Sequence, residues 1–174
     1  MRIWSKLSVI VTALLSVACS VTPPADVKVV NNFELNRYLG TWYEVARLDH
    51  SFESGLERVT ANYSLRDDGG VKVINRGFNP QKNKWQESEG KGYFTGSTAR
   101  AALKVSFFGP FYGGYNVIEL DKDYRYALVC GPDKSYLWIL SRTPTLDDSV
   151  KQQLLKTAQG YGFDTSKLVW VKQP

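Results

Sequence analysis

Between Gly40 and Arg142 the chain is a series of short β-branched and aromatic runs broken by turn residues. The runs cover residues 40–48, 58–66, 71–78, 85–95, 101–107, 114–120, 124–130 and 135–142. Asp67-Asp68-Gly69-Gly70 and Asn79-Pro80-Gln81-Lys82-Asn83 are turns by composition, because Asp, Asn and Gly tolerate the backbone angles that tight reversals need. Within the third run, Val71, Val73 and Asn75 alternate with Lys72, Ile74 and Arg76. Eight such runs with short links predict an all-β, eight-stranded antiparallel up-and-down barrel. Closing the sheet removes its edges and leaves room for one small ligand. Gly90 and Gly92 inside the fourth run predict a bulge or sharp bend.

One helical pattern follows the strands. Leu146, Val150, Leu154 and Ala158 recur every four residues and form a single apolar stripe. Thr145 is positioned to cap this helix, Asp148 adds negative charge to its first turn, and Gly160 is its expected stop. One apolar stripe suits a helix lying against the outside of the barrel. Residues 168–171 then read as a short closing strand.

The amino terminus has a different character. Arg2 and Lys6 precede an uncharged run over residues 7–18, too short for the roughly 20 residues that cross a bilayer. A charged start, an apolar centre and small residues before a cut are the features of a secretory signal. Leu15-Ser16-Val17-Ala18-Cys19 resembles the lipobox of bacterial lipoproteins, with Ser16 where that pattern carries Leu, Val or Ile. The resemblance implies a signal peptide at 1–18, N-acyl and S-diacylglycerol modification of Cys19, and, from Ser20 in place of Asp, an outer-membrane destination. Residues 19–28, with Pro23 and Pro24, read as a lipidated tether, and 29–174 as the barrel domain. With Cys19 acylated, Cys130 is left without a disulfide partner and reads as a small buried hydrophobe. Removing Arg2 and Lys6 lowers the formal net charge from +5 by two, to +3, which suggests no nucleic-acid surface.

Three further motifs carry a family resemblance. Gly40-Thr41-Trp42 resembles the Gly-x-Trp signature that opens the first strand of lipocalins. Asp123-Tyr124 with residues 125–128 resembles the second lipocalin motif, and Arg142 the arginine that ends the eighth strand. The chain is most similar to bacterial outer-membrane lipocalins, from about Val29 to its end. The resemblance implies that Arg142 lies over Trp42 at the barrel floor, so that Gly40, Trp42 and Arg142 are structural. It also implies a fatty acid or lysophospholipid as ligand, in outer-membrane maintenance.

The residues themselves favour binding over catalysis. His50 is the chain's one histidine and falls between the first two strands. No nucleophile elbow, metal-ligand spacing or phosphate-cradling glycine loop is present, so neither catalytic residues nor a cofactor or metal is expected. If Arg142 closes the floor, alternation turns Leu140, Trp138 and Tyr136 inward and Leu137, Ile139 and Ser141 outward. Trp138 and Tyr136, with Phe107 and Tyr112 from an aromatic-rich hairpin, are the candidate ligand contacts. That hairpin either lines the mouth or forms a homodimer contact. The alternatives to a lipid carrier are a structural or docking lipoprotein with a packed barrel, and an enzyme on the same scaffold.

Overall fold

The computed structural model describes residues 20–174. The expected signal segment 1–18 and Cys19 lie outside the described residues. Eight strands follow in chain order: β1 (Gly40–Leu48), β2 (Glu57–Leu65), β3 (Val71–Asn79), β4 (Lys84–Phe94), β5 (Ala102–Phe108), β6 (Phe111–Leu120), β7 (Tyr126–Cys130) and β8 (Leu137–Ser141). Each pairs antiparallel with the next, and β1 pairs with both β2 and β8, so the sheet closes. The short β9 (Leu168–Trp170) adds beside the upper half of β1. A short helix, α1 (Leu35–Tyr38), which the sequence pattern did not mark, leads into β1.

Period-two alternation sorts the side chains into two cores. Val71, Val73, Leu103, Val117 and Leu140 fill the barrel together with Trp42. Leu128, Leu137 and Ile139 point outward and pack under α2 (Asp148–Gly160) through Leu154 and Ala158, with Leu146 and Val150 alongside. Leu154 is fully buried, a contribution of roughly 2 kcal/mol on the usual area scale. Cys130 belongs to this outer core, where burial pushes its thiol up to about 12.

The start of α2 differs from expectation. The helix starts at Asp148 with Asp147 in the cap position, and Thr145 instead receives the Thr143 hydroxyl on its carbonyl. Asp147 is as good a cap residue and stands closer to the first turn. The helix ends at Gly160, as expected, and Gly162 makes the turn that follows it: its φ is +80, its N–H reaches the Gln159 carbonyl, and Phe163 N–H reaches Ala158. This is the left-handed glycine termination of a helix, which Gly162 makes without strain.

Gly90 and Gly92 do not form a bulge either, since β3–β4 pairing runs through both without a shift. A Cβ on Gly90 would come within 2.8 Å of the Phe107 ring, so the missing side chain gives that ring its place. Register shifts fall instead at Glu44/Ala46, Glu57/Thr60, Val105/Phe108 and Val117/Glu119.

Candidate functional site

The three motif segments meet at one end of the barrel and close it. The Arg142 guanidinium lies 3.9 Å from the Trp42 ring centroid. It also donates to the carbonyls of Thr41, Arg37 and Tyr124 at 3.0, 2.8 and 3.2 Å. Gly40 has φ +94, and a Cβ there would stand 3.5 Å from Arg142 Nη1. The backbone angle is what calls for glycine at this position, since 3.5 Å is ordinary contact. Asp121 accepts Arg125 Nε at 2.7 Å and holds the turn that carries Tyr124, whose hydroxyl accepts the Glu34 N–H. Phe33, Tyr38 and Trp42 fill the floor.

Above the floor, Tyr38, Tyr63 and Tyr115 share hydrogen bonds, with Tyr115 Oη 2.7 Å from Tyr38 and 2.8 Å from Tyr63. Burial raises the pKa of all three, so they stay neutral and pair with one another. Val71, Val73, Leu103 and Val105 line the wall beside them, around a narrow cavity of about 20 Å³. No charged side chain lines this space.

Toward the other end the wall becomes polar, and a bulge in β1 is the cause. The shift at Val45 turns both Val45 and Ala46 outward, so Glu44 and Arg47 share the inner face. Arg47 Nη1 donates to Glu44 at 2.9 Å and Nε to Asp49 at 2.8 Å, although Arg47 is only 1% exposed. Loop 49–56 then folds over the mouth and buries Glu53, whose carboxyl accepts the Trp138 indole N–H at 3.1 Å. Burial pushes Glu44 up to about 7 and Glu53 up to about 8, and the Glu44 charge adds to the rise at Glu53. His50, in the same loop, donates to the Ser135 carbonyl at 2.8 Å and stacks on Tyr136 at 3.9 Å.

The candidate contacts thus separate. Trp138 faces inward between Glu53 and the core, and Leu140 lies below it. Tyr136 is at the rim, stacked under His50. Phe107 leans across β4 at Gly90, near the mouth. Tyr112 does not line the cavity. Pairing of Val105 with Gly113 turns Gly113 and Tyr115 inward and leaves Tyr112 outside, over Lys104 and beside Tyr93. Tyr63, Tyr115, Glu44 and Arg47 escaped the sequence reading. Alternation around Ala61 and Val59 marks Tyr63 as inward, but the β1 bulge that turns Arg47 inward leaves no local signal.

Among the described residues no group of three or more His, Cys, Asp or Glu side chains is placed to hold a metal ion. The arrangement is that of a holder: an apolar floor, a charged girdle and a latched mouth.

Comparison with known proteins agrees with this geometry. Outer membrane lipoprotein Blc of Escherichia coli (strain K12) is 66% identical over 175 residues, covering 100% of this chain and 99% of that protein. The Vibrio cholerae protein of the same name is 52% identical, over 92% of this chain and 98% of its own length. Apolipoprotein D of Cavia porcellus is 33% identical over 83% of this chain and 79% of its own. In structure, insecticyanin from the tobacco hornworm Manduca sexta shares the fold with TM-score 0.70 at 23% identity, covering 89% of this chain and 88% of that one. A model of the lipocalin-like domain matches residues 33–173, and the chain belongs to the lipocalin family.

Proposed function

We propose that this protein is an outer-membrane lipoprotein, anchored through Cys19, that holds one single-chain lipid inside its barrel. The observation that carries the reading is the order of the inner wall: apolar residues and neutral tyrosines below, the Glu44–Arg47–Glu53 girdle above. An acyl chain suits the apolar lower part and the polar head of the lipid the upper, among the Glu44, Arg47 and Glu53 side chains. Leaving such a head unpaired among the tyrosines would cost several kcal/mol. The unfilled space is narrow and lined by apolar residues and tyrosines, which favours one acyl chain over two. Names of close relatives, which describe outer-membrane lipoproteins, support the anchored placement. We propose no catalytic role, since the one described cysteine is buried under α2 with its thiol protonated.

The test is mass spectrometry of the lipid that accompanies the purified lipoprotein. A fatty acid or lysophospholipid in near-stoichiometric amount supports the reading. Protein free of lipid, and unable to take any up, indicates a packed structural barrel.

A further inference from the structure

The loops that join β1 to β2, β3 to β4, β5 to β6 and β7 to β8 lie at the end of the barrel opposite the Trp42 floor. Five of the eight exposed large apolar side chains among the described residues, Phe52, Trp85, Phe107, Phe108 and Phe111, gather there, while Leu65 stands at the floor end. Phe108 and Phe111, at 82% and 66% exposed, form the tip of the β5–β6 hairpin, and Phe52, at 66%, stands on the β1–β2 loop. Trp85, 44% exposed, is the second residue of β4 and follows the exposed Lys82 and Lys84. Leaving these rings in water is unfavourable, and three separate loops share the feature.

The chain's own amino terminus arrives at the same hairpin. Ser20 gives its carbonyl to the Gly114 N–H at 3.2 Å, on the part of β6 that extends past the end of β7. Gly114 is the reason the two chains can touch, since a Cβ there would come within 2.9 Å of the Val21 carbonyl oxygen. Cys19 is the next residue, one Cα step of about 3.8 Å away. An acyl anchor on Cys19 therefore enters the bilayer only a few residues from Phe111. That attachment leaves too little chain for the barrel to turn its floor toward the membrane while keeping the Ser20–Gly114 bond.

We propose that the open rim is a bilayer-docking surface. Phe108 and Phe111 insert among the acyl chains beside the anchor, and Trp85 with Lys82 and Lys84 sits at the head groups. Aromatic rings flanked by lysines are suited to that boundary, where the apolar ring meets hydrocarbon and the ammonium meets lipid phosphate. The mouth then opens onto the leaflet, so a single-chain lipid passes from membrane to barrel without crossing water. This inference rests on the anchored, lipid-holding reading above, and it assigns that reading an orientation and a route.

The experiment uses the full acylated lipoprotein in vesicles of phosphatidylethanolamine and phosphatidylglycerol. An environment-sensitive label is placed at Phe111→Cys or, at the floor end, at Thr98→Cys, while buried Cys130 stays unlabelled. Docking requires that the label at 111 be quenched by nitroxide on the lipid acyl chains and shielded from iodide, with the label at 98 open to iodide. Equal access of iodide to both labels overturns the proposal. So does shielding at 111 that grows with protein density and ignores the lipid nitroxide, because the occupant is then a second copy of the chain. As a second readout, the Phe108→Ser/Phe111→Ser double variant should take up lysophospholipid from vesicles several-fold more slowly, yet bind monomeric lysophospholipid in solution as wild type does. Wild-type protein that docks but binds no lipid in solution contradicts the cargo reading alone, and leaves the docking surface standing.

Discussion

Glu53 accepts the indole N–H of Trp138 at 3.1 Å, and this bond ties loop 49–56 to the inner wall at β8. The loop is also held by His50 on Ser135 and Tyr136, so the mouth is latched at two points on one side. Glu53 is 8% exposed and lies near a second buried carboxyl, Glu44. Both hold their protons more tightly folded than unfolded.

The sign of the resulting pH effect follows from linkage. A carboxyl whose folded pKa is raised, here from 4.5 to about 7 for Glu44 and about 8 for Glu53, binds more protons in the folded state than in the unfolded state across that interval. Stability from these groups is full below pH 4.5 and falls as pH rises through 7 to 8. The Glu53→Gln variant keeps the Trp138 contact without the titration. Its thermal midpoint should fall less than that of wild type between pH 5 and pH 8.5. Parallel curves for the two proteins would show that Glu53 does not titrate in this range.

At the floor, Trp42→Ala should cost about 3–5 kcal/mol, the usual penalty for emptying a buried tryptophan site. Arg142→Lys keeps the charge but cannot reach three carbonyls from one planar head, and should cost about 1–3 kcal/mol. Urea unfolding monitored by circular dichroism checks both, and a wild-type midpoint for Trp42→Ala would show that the ring does not close this barrel.

Gly90→Val tests the role of the missing side chain. Its Cβ would meet Phe107 at 2.8 Å and the Ser106 carbonyl at 2.9 Å. Overpacking of this kind typically costs about 1–3 kcal/mol. Adding Phe107→Ala should recover only part of that loss, because the Ser106 backbone remains. Complete recovery, read from denaturant midpoints, would place the whole conflict at the ring.

Cys19→Ala should release the protein from the outer membrane or leave its signal segment uncleaved. A stable bilayer anchor takes more than a single acyl chain, and this variant lacks the thiol that a diacylglycerol would need. Fractionation that finds the variant cleaved and still membrane-bound would remove Cys19 as the anchor.

The strands were readable from sequence because alternation, turn residues and strand length all point the same way. Ile139 and Leu140 show why face assignment also succeeded: adjacent residues, both apolar, divide between the outer and inner cores as period two demands. What escaped depends on shifts in that period. The bulge at Val45 brings Glu44 and Arg47 to one face, and the register at Val105–Gly113 sends Tyr112 outward. Neither shift has a local residue signature. Gly90 carries the signature of a bulge or bend, because sequence shows a missing side chain but not the ring that fills its place. Asp147 moves the start of α2 for a simpler reason, since two good capping residues, Thr145 and Asp147, stand close together and packing chooses between them.

The central claim is that a single-chain lipid occupies the barrel beneath the Glu53–Trp138 latch. The most direct measurement is titration of delipidated protein with monomeric lysophospholipid, following tryptophan fluorescence in wild type and in Trp138→Phe. Trp42 is sealed in the floor, and Trp85 and Trp170 stand on the outside, so a ligand at the mouth should be reported by Trp138. The account predicts a saturable change in wild type that is largely lost in Trp138→Phe, with one lipid bound per chain. No change across fatty acids and lysophospholipids, or an equal change in both proteins, would contradict it.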